Sequence, residues 1–294
     1  MHMDSRSIED AASGALRDRI FVQRRYSWIA RDGDVFFKIP RIGNSVEEDC
    51  NSDHARSMAR EEYDNLIMLS VDGGAVISPL LFVEKYACIV LPFVHGQDLR
   101  DLLLADPTWE SRKAMLDQAM ILLAKLHAKN LDQIILRPKH RNYADDDTFP
   151  YAFGEDKFRK TLVVRGYEVR NLRVAEPSKL LRFFDPHQIE IGFPEEDISR
   201  FALSLLMLRW GRGRVVGIWD RFSLAELVAK YEEASGVLVD WVLLKYSFRW
   251  NSEMRSKNAG AIVRRMRWWM RPSADAYRRL FFKNVQRWAE KNGV

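Results

Sequence analysis

The segment Thr161–Gln188, TLVVRGYEVRNLRVAEPSKLLRFFDPHQ, constrains what this chain can fold into more than any other stretch. Leu162-Val163-Val164 and Leu180-Leu181-Arg182-Phe183-Phe184 read as short strands, being apolar runs bounded by turn residues. A polar turn ending at Asn171 lies between them. The second strand delivers Asp185 at its C-terminal end, and Pro186, which has no N–H, stops the ladder there. An Asn and an Asp on neighbouring strand ends, with little else acidic nearby, suit a divalent cation that carries phosphate oxygens. Mg²⁺ takes one or two protein oxygens and completes its shell with phosphate and water. The alternative reading is a hairpin whose Asp185 only caps the turn.

The N-terminal third adds a second pattern. IFVQRRYSWIA, from Ile20, and DVFFKI flank Asp32-Gly33, a hairpin signal between β-rich runs. On the second strand Val35, Phe37 and Ile39 share one face, and Phe36 and Lys38 share the other. A lone Lys there either snorkels at a rim or binds phosphate. The second role requires a carboxylate on a following helix to hold its ammonium. Arg41–His54 is a polar loop, and Ala55–Ser70 is amphipathic with Met58, Glu62, Leu66 and Leu69 at helical spacing. Glu62 falls on this apolar stripe, where a desolvated carboxylate needs a partner, and Lys38 is the candidate. Glu61 is the competitor and reads as a solvated charge.

Val76–Leu81 and Lys85–Leu91 read as strands around a Val83-Glu84 turn, followed by LPFVHGQDLRDLLL, a strand running through a loop into a short helix. Ser111–Lys129 is a helix with Met115, Ala119, Leu122 and Leu126 on one face, and His127 reads as a helix-end residue near the macrodipole. Pro194-Glu195-Glu196-Asp197 opens another helix, with Asp197 as N-cap or first-turn acid and Phe201, Leu205 and Leu208 as its core face. The remainder is helical, with punctuation at Gly211-Arg212-Gly213 and Arg271-Pro272-Ser273.

Lys38, Glu62, the Leu91–Val94 segment, Asn171, Asp185 and Asp197 stand in the order used by the protein-kinase-like superfamily, which the chain resembles. AREEYDNL is similar to that superfamily's helix C, and FFDPHQ is similar to the I-D-L-H-R wording of bacterial lipopolysaccharide core kinases. No G-x-G-x-x-G precedes Lys38. The aminoglycoside phosphotransferase and lipopolysaccharide kinase branches, whose nucleotide loop is often not glycine-rich, therefore resemble it best. The resemblance implies an α+β, two-lobed kinase-like fold, with an N-lobe over 1–91 and a mostly helical C-lobe over 92–294. It implies ATP held by Lys38 with Glu62 as its anchor, and an adenine edge bonded by backbone at Leu91–Val94, with Leu91, Phe93 and Val94 around it. Mg²⁺ would sit on Asn171 and Asp185, and Asp197 would brace the catalytic loop. The acceptor would be a sugar or glycolipid hydroxyl. The chain departs from the pattern at one place. Five positions before Asn171, where the superfamily has its catalytic Asp, stands Gly166, and sliding the register by one gives Tyr167. Glu168 is the nearest candidate base. The alternative to an active phosphotransferase is a pseudokinase that binds nucleotide or a partner protein. A second alignment through His140-Arg141-Asn142 fails, because Asp147 replaces the Asn. The polar stretch 130–160 is a candidate acceptor-binding insertion.

Composition limits the setting. Two cysteines, Cys50 and Cys88, make no disulfide framework and lack metal-ligand spacing, which suits a reducing compartment. The N-terminus lacks the apolar core of a signal peptide, and no run approaches the ~20 apolar residues needed to span a bilayer. The expectation is a cytoplasmic protein, soluble or peripheral at the inner face of the membrane. A formal charge of +5 does not by itself imply nucleic acid. Near the C-terminus, Arg264, Arg265, Arg267 and Arg271 surround Trp268 and Trp269. This combination suits an anionic membrane surface or glycolipid, with nucleic acid disfavoured and a packed helix pair as the plain alternative.

Overall fold

In the computed structural model, residues 5–18, 20–24, 26–70, 76–105, 108–128, 161–184, 188–209 and 222–294 are described. In chain order the elements are α1 (Ser5–Arg17), β1 (Val22–Gln23), β2 (Ser27–Asp32), β3 (Val35–Pro40), α2 (Val46–Cys50), α3 (Asp53–Ser70), β4 (Leu81–Val83), β5 (Cys88–Pro92) and β6 (Gly96–Asp98). There follow α4 (Leu99–Ala105), α5 (Trp109–His127), β7 (Thr161–Arg165), β8 (Leu172–Ala175), β9 (Leu180–Phe183) and β10 (Gln188–Gly192). Last come α6 (Pro194–Leu206), α7 (Leu224–Ser235), α8 (Trp241–Arg265) and α9 (Arg271–Lys291). The fold is α+β, with strands concentrated early and helices late. The chain divides into two compact units, one of residues 1–97 and 173–188, the other of residues 98–172 and 189–294.

The first unit is built on an antiparallel sheet ordered β1-β2-β3-β5-β4. The β2–β3 hairpin closes through Gly33-Asp34, because Asp32 pairs with Val35 and is itself the last strand residue. On β3 the two-residue alternation holds. Val35, Phe37 and Ile39 are buried with Trp28, Ala30 and Val90 and with Ile8, Ala12 and Ala15 of α1. Removing each large side chain of this set from water contributes about 1.5–3 kcal/mol. The helix α1 is therefore packed on the sheet. Phe36 and Lys38 point to the opposite face.

Four details differ from the sequence reading. The buried stripe of α3 is Ala55, Ala59, Leu66 and Leu69, while Met58 is 43% exposed. Alanines let the helix lie close, and a long methionine is not needed there. Val76–Leu80 is not a strand: Val76 makes one parallel bridge to Phe183, and Pro79, which cannot donate to a ladder, follows. The turn before β5 is a 3-10 turn at Glu84–Tyr86, not Val83-Glu84. A small sheet ordered β6-β8-β9 adds a strand, β8, that the sequence reading did not assign. Gly96 fits beside β8 because a Cβ there would meet the Val174 carbonyl oxygen at 1.9 Å.

The second unit is a helical assembly around β7, β10, α5 and α6. Phe201, Leu205 and Leu208 are buried as expected, as are Leu122 and Leu126 of α5. The start of α6 is capped by Glu196, whose Oε1 accepts from the Phe193 N–H at 3.1 Å, so of the two expected roles Asp197 takes that of first-turn acid. Pro272 lies in the first turn of α9 and does not interrupt it, because Pro costs nothing where an N–H would be orphaned. Gly211–Gly213 and the 130–160 stretch, with His140–Asn142, lie outside the described residues. Among the described residues no helix is long and apolar enough to cross a membrane.

Candidate active site

In the first unit, Lys38 leaves β3 on the face opposite Phe37 and meets α3. Its Nζ lies 2.6 Å from Glu62 Oε1, with the two side chains 15% and 17% exposed. The pair is part-buried, so each charge compensates the desolvation of the other. Glu61 is exposed. Along the strand-to-helix connection, Leu91 is buried and Phe93 and Val94 are half-buried. Pro92 has no N–H, and the Phe93 N–H donates to the Asp34 carbonyl at 2.7 Å. The Phe93 ring is occupied by cations: the Arg31 guanidinium carbon lies 3.4 Å from its centroid and that of Arg173 5.3 Å. His95 packs edge-on to the same ring and bonds Asp34 Oδ1 at 2.9 Å.

In the second unit, the loop from Val164 to Asn171 is held from several sides. Asp197 of α6 is fully buried. Its Oδ2 accepts from the Val164 N–H at 2.6 Å and from His127 Nε2 at 3.3 Å, and its Oδ1 accepts from Arg200 Nη1 at 3.0 Å. A carboxylate only accepts, so Nε2 carries a proton. In the neutral ring Nδ1 then accepts from the Tyr231 hydroxyl, 2.9 Å away. His127 is thus the end of α5, as expected, and also a buried connector joining α5, α6 and α7. Thr161 Oγ1 donates to the His127 carbonyl at 2.7 Å, and the Val169 N–H donates to Ser204 Oγ at 3.1 Å.

The loop also carries the residues weighed for the catalytic position, Gly166, Tyr167 and Glu168. Asn171 is buried in a 3-10 turn, and its Nδ2 donates to the Gly166 carbonyl at 2.8 Å, five positions back. Gly166 has φ +112°, a backbone region that side chains with a Cβ rarely adopt. Tyr167 is fully buried, and its hydroxyl donates to the Ala119 carbonyl at 2.5 Å. Burial, with the negative charge of Asp197 nearby, pushes its phenol well above the ordinary range. It cannot serve as a base. Glu168 is also buried, and both its oxygens are engaged, Oε2 by Arg170 Nε at 2.9 Å and Oε1 by Arg255 Nη2. Its carboxylate ties the loop to α8, and the geometry speaks against the base role expected for it. Asp185 lies outside the described residues.

Asn171 can serve a cation, because its amide nitrogen is spent on Gly166 and its Oδ1 is a hard oxygen of the kind Mg²⁺ prefers. Among the described residues no cluster of three or more His, Cys, Asp or Glu could hold a metal alone. A site completed by phosphate oxygens needs no such cluster.

The sequence matches no protein-family model and no curated protein. Solved structures do match in fold. Amicoumacin kinase in complex with AMP-PNP and Ca²⁺ aligns with TM-score 0.58 at 12% identity, covering 96% of this chain and 94% of its own. The gentamicin complex of APH(2")-IIa aligns with TM-score 0.54 at 12% identity, covering 99% of each chain. Choline kinase LicA from Streptococcus pneumoniae aligns with TM-score 0.50 at 13% identity, covering 97% of this chain and all of that one. The architecture of this chain is the protein-kinase-like fold, in the form seen in aminoglycoside phosphotransferases and choline kinases.

Proposed function

We propose that this protein is an ATP-dependent phosphotransferase acting on a sugar or glycolipid hydroxyl, working in the cytoplasm. The observation that carries the reading is the Lys38–Glu62 pair at 2.6 Å, a strand lysine held by a helix carboxylate on an otherwise apolar stripe. A lysine with no functional task would reach solvent more cheaply than it would order a half-buried pair. In this reading Lys38 binds the nucleotide's α/β-phosphates and Glu62 fixes its ammonium. The Leu91–Val94 segment offers backbone groups to the base, with Leu91, Phe93 and Val94 beside it. Asn171 Oδ1, with Asp185, would hold Mg²⁺, which when bound neutralises phosphate charge. Asp197 keeps the Val164 end of the loop in place.

Phosphoryl transfer passes through a loose transition state and depends mainly on positioning and electrostatics. A general base is worth about 10²–10⁴-fold. Gly166 in the expected carboxylate position therefore lowers the rate without removing the chemistry.

A second reading, a nucleotide-binding regulator with impaired transfer, is favoured by one observation. The backbone at Gly166 is in a conformation suited to glycine, and neither Tyr167 nor Glu168 offers a free basic oxygen. Incubation with radiolabelled ATP, Mg²⁺ and a panel of glycans and glycolipids separates the two. Label transfer supports the phosphotransferase. Mg-ATP binding without transfer to any acceptor supports the regulator.

A further inference from the structure

We propose that the connection between α8 and α9 is a membrane-docking tip that inserts its aromatic residues into the interface of an anionic lipid bilayer. The proposal does not depend on the phosphotransferase reading. α8 runs 25 residues to Arg265, and α9 begins at Arg271. Between them a 3-10 turn, Trp268–Met270, carries Trp268 76% exposed, Trp269 55% exposed and Met270 48% exposed, with Ile262 of α8 also exposed. The hairpin does not lack a place to bury aromatics. Farther along it, Trp288 packs against Phe222 and Phe248 at centroid distances of 4.9 and 5.7 Å, and Phe281 and Phe282 are buried. The apolar side chains at the turn are held out of that core.

The charge around the turn is of one sign. From Met254 to Ala274 there is no acidic residue, and there are Arg255, Lys257, Arg264, Arg265, Arg267 and Arg271. Arg264, Arg265, Arg267 and Arg271 are exposed, and among the described residues none has a carboxylate partner. Arg271 Nε instead donates to the Met266 carbonyl at 3.0 Å, which closes the turn. The next acid, Asp275, is already held by Arg279 and Arg278, which keep its carboxyl below the usual range. Exposed tryptophans ringed by arginines match the headgroup level of a bilayer, where the indole sits at the apolar boundary and the guanidiniums meet lipid phosphates. Single-stranded nucleic acid fits less well. The Trp268 and Trp269 rings are perpendicular, at 89° and 6.1 Å, and do not form a parallel stacking ladder. Because no described helix can span, the attachment is interfacial and reversible.

The test is co-sedimentation of the full chain with phosphatidylcholine vesicles and with phosphatidylcholine–phosphatidylglycerol vesicles, at low and high salt. Retention is expected on the anionic vesicles alone, weakening with salt as exposed charges are screened. The exposed double substitution W268S/W269S and the triple R264Q/R265Q/R267Q should each lower the partition coefficient by about tenfold or more, with unchanged thermal melting. Brominated lipids should quench wild-type tryptophan fluorescence, and W268S/W269S should lose most of that quenching. This readout stands even if a variant melts early. No retention on either vesicle, equal retention on both, or retention unaffected by both variants overturns the proposal. Binding of a single-stranded oligonucleotide that both variants abolish, without vesicle binding, assigns the tip to nucleic acid and overturns it equally.

Discussion

Asn171 donates its side-chain N–H to the carbonyl of Gly166 at 2.8 Å, and Gly166 holds φ at +112° to receive it. The bond closes the loop between residues 166 and 171. The positive φ shows that glycine there is a requirement of the backbone.

Gly166→Ala should therefore destabilise the fold by about 1–3 kcal/mol, since the substitution places a Cβ in a disfavoured region. Chemical denaturation compares it with wild type. Equal stability would show that the loop accepts an ordinary residue there.

Asp197 receives three hydrogen bonds while fully buried. Asp197→Ala leaves the Val164 N–H and the Arg200 guanidinium without their acceptor. A loss of about 3–5 kcal/mol is expected, as for breaking other buried charge pairs. A variant that unfolds at wild-type denaturant concentration would remove Asp197 from the account of the loop.

Much of this was legible locally. The alternation of β3 placed Lys38 opposite Phe37, and the 3.6-residue period of α3 put Glu62 on the inner stripe, so their pairing followed from two short-range patterns. Met58 was misplaced because periodicity reports which face a residue shares, and not whether the helix lies too close to the sheet for a long side chain. His127 ends α5 as expected, but its burial was not legible, because its partners, Asp197 and Tyr231, lie 70 and 104 positions away. Nothing within one helix signals them. The same holds for Glu168, whose partner Arg255 is on α8. The sign of φ at Gly166 leaves no pattern, since glycine also occurs where φ is negative.

Glu195 predicts a pH dependence. Burial, the largest cause, raises its carboxyl from the ordinary 4.5 to about 7, although Oε1 accepts the Asp240 N–H at 2.8 Å. Between these two values the folded state binds a proton that the unfolded state has released. Its contribution to stability is thus complete below about pH 4.5 and is lost as pH rises through about 7. The size is ~3 kcal/mol as an upper figure. Glu195→Gln keeps the acceptor and cannot ionise, so its stability relative to wild type should rise from about pH 5 to about pH 8 in urea titrations. A constant difference across that range would contradict the assignment.

The central claim is that the Lys38–Glu62 pair belongs to a nucleotide site. The direct measurement is the thermal shift of the full chain with millimolar ATP, with and without Mg²⁺, for wild type and for Lys38→Met. The account predicts a Mg²⁺-dependent stabilisation of wild type that Lys38→Met reduces or abolishes. Absence of any shift in wild type, or an identical shift in Lys38→Met, would contradict it.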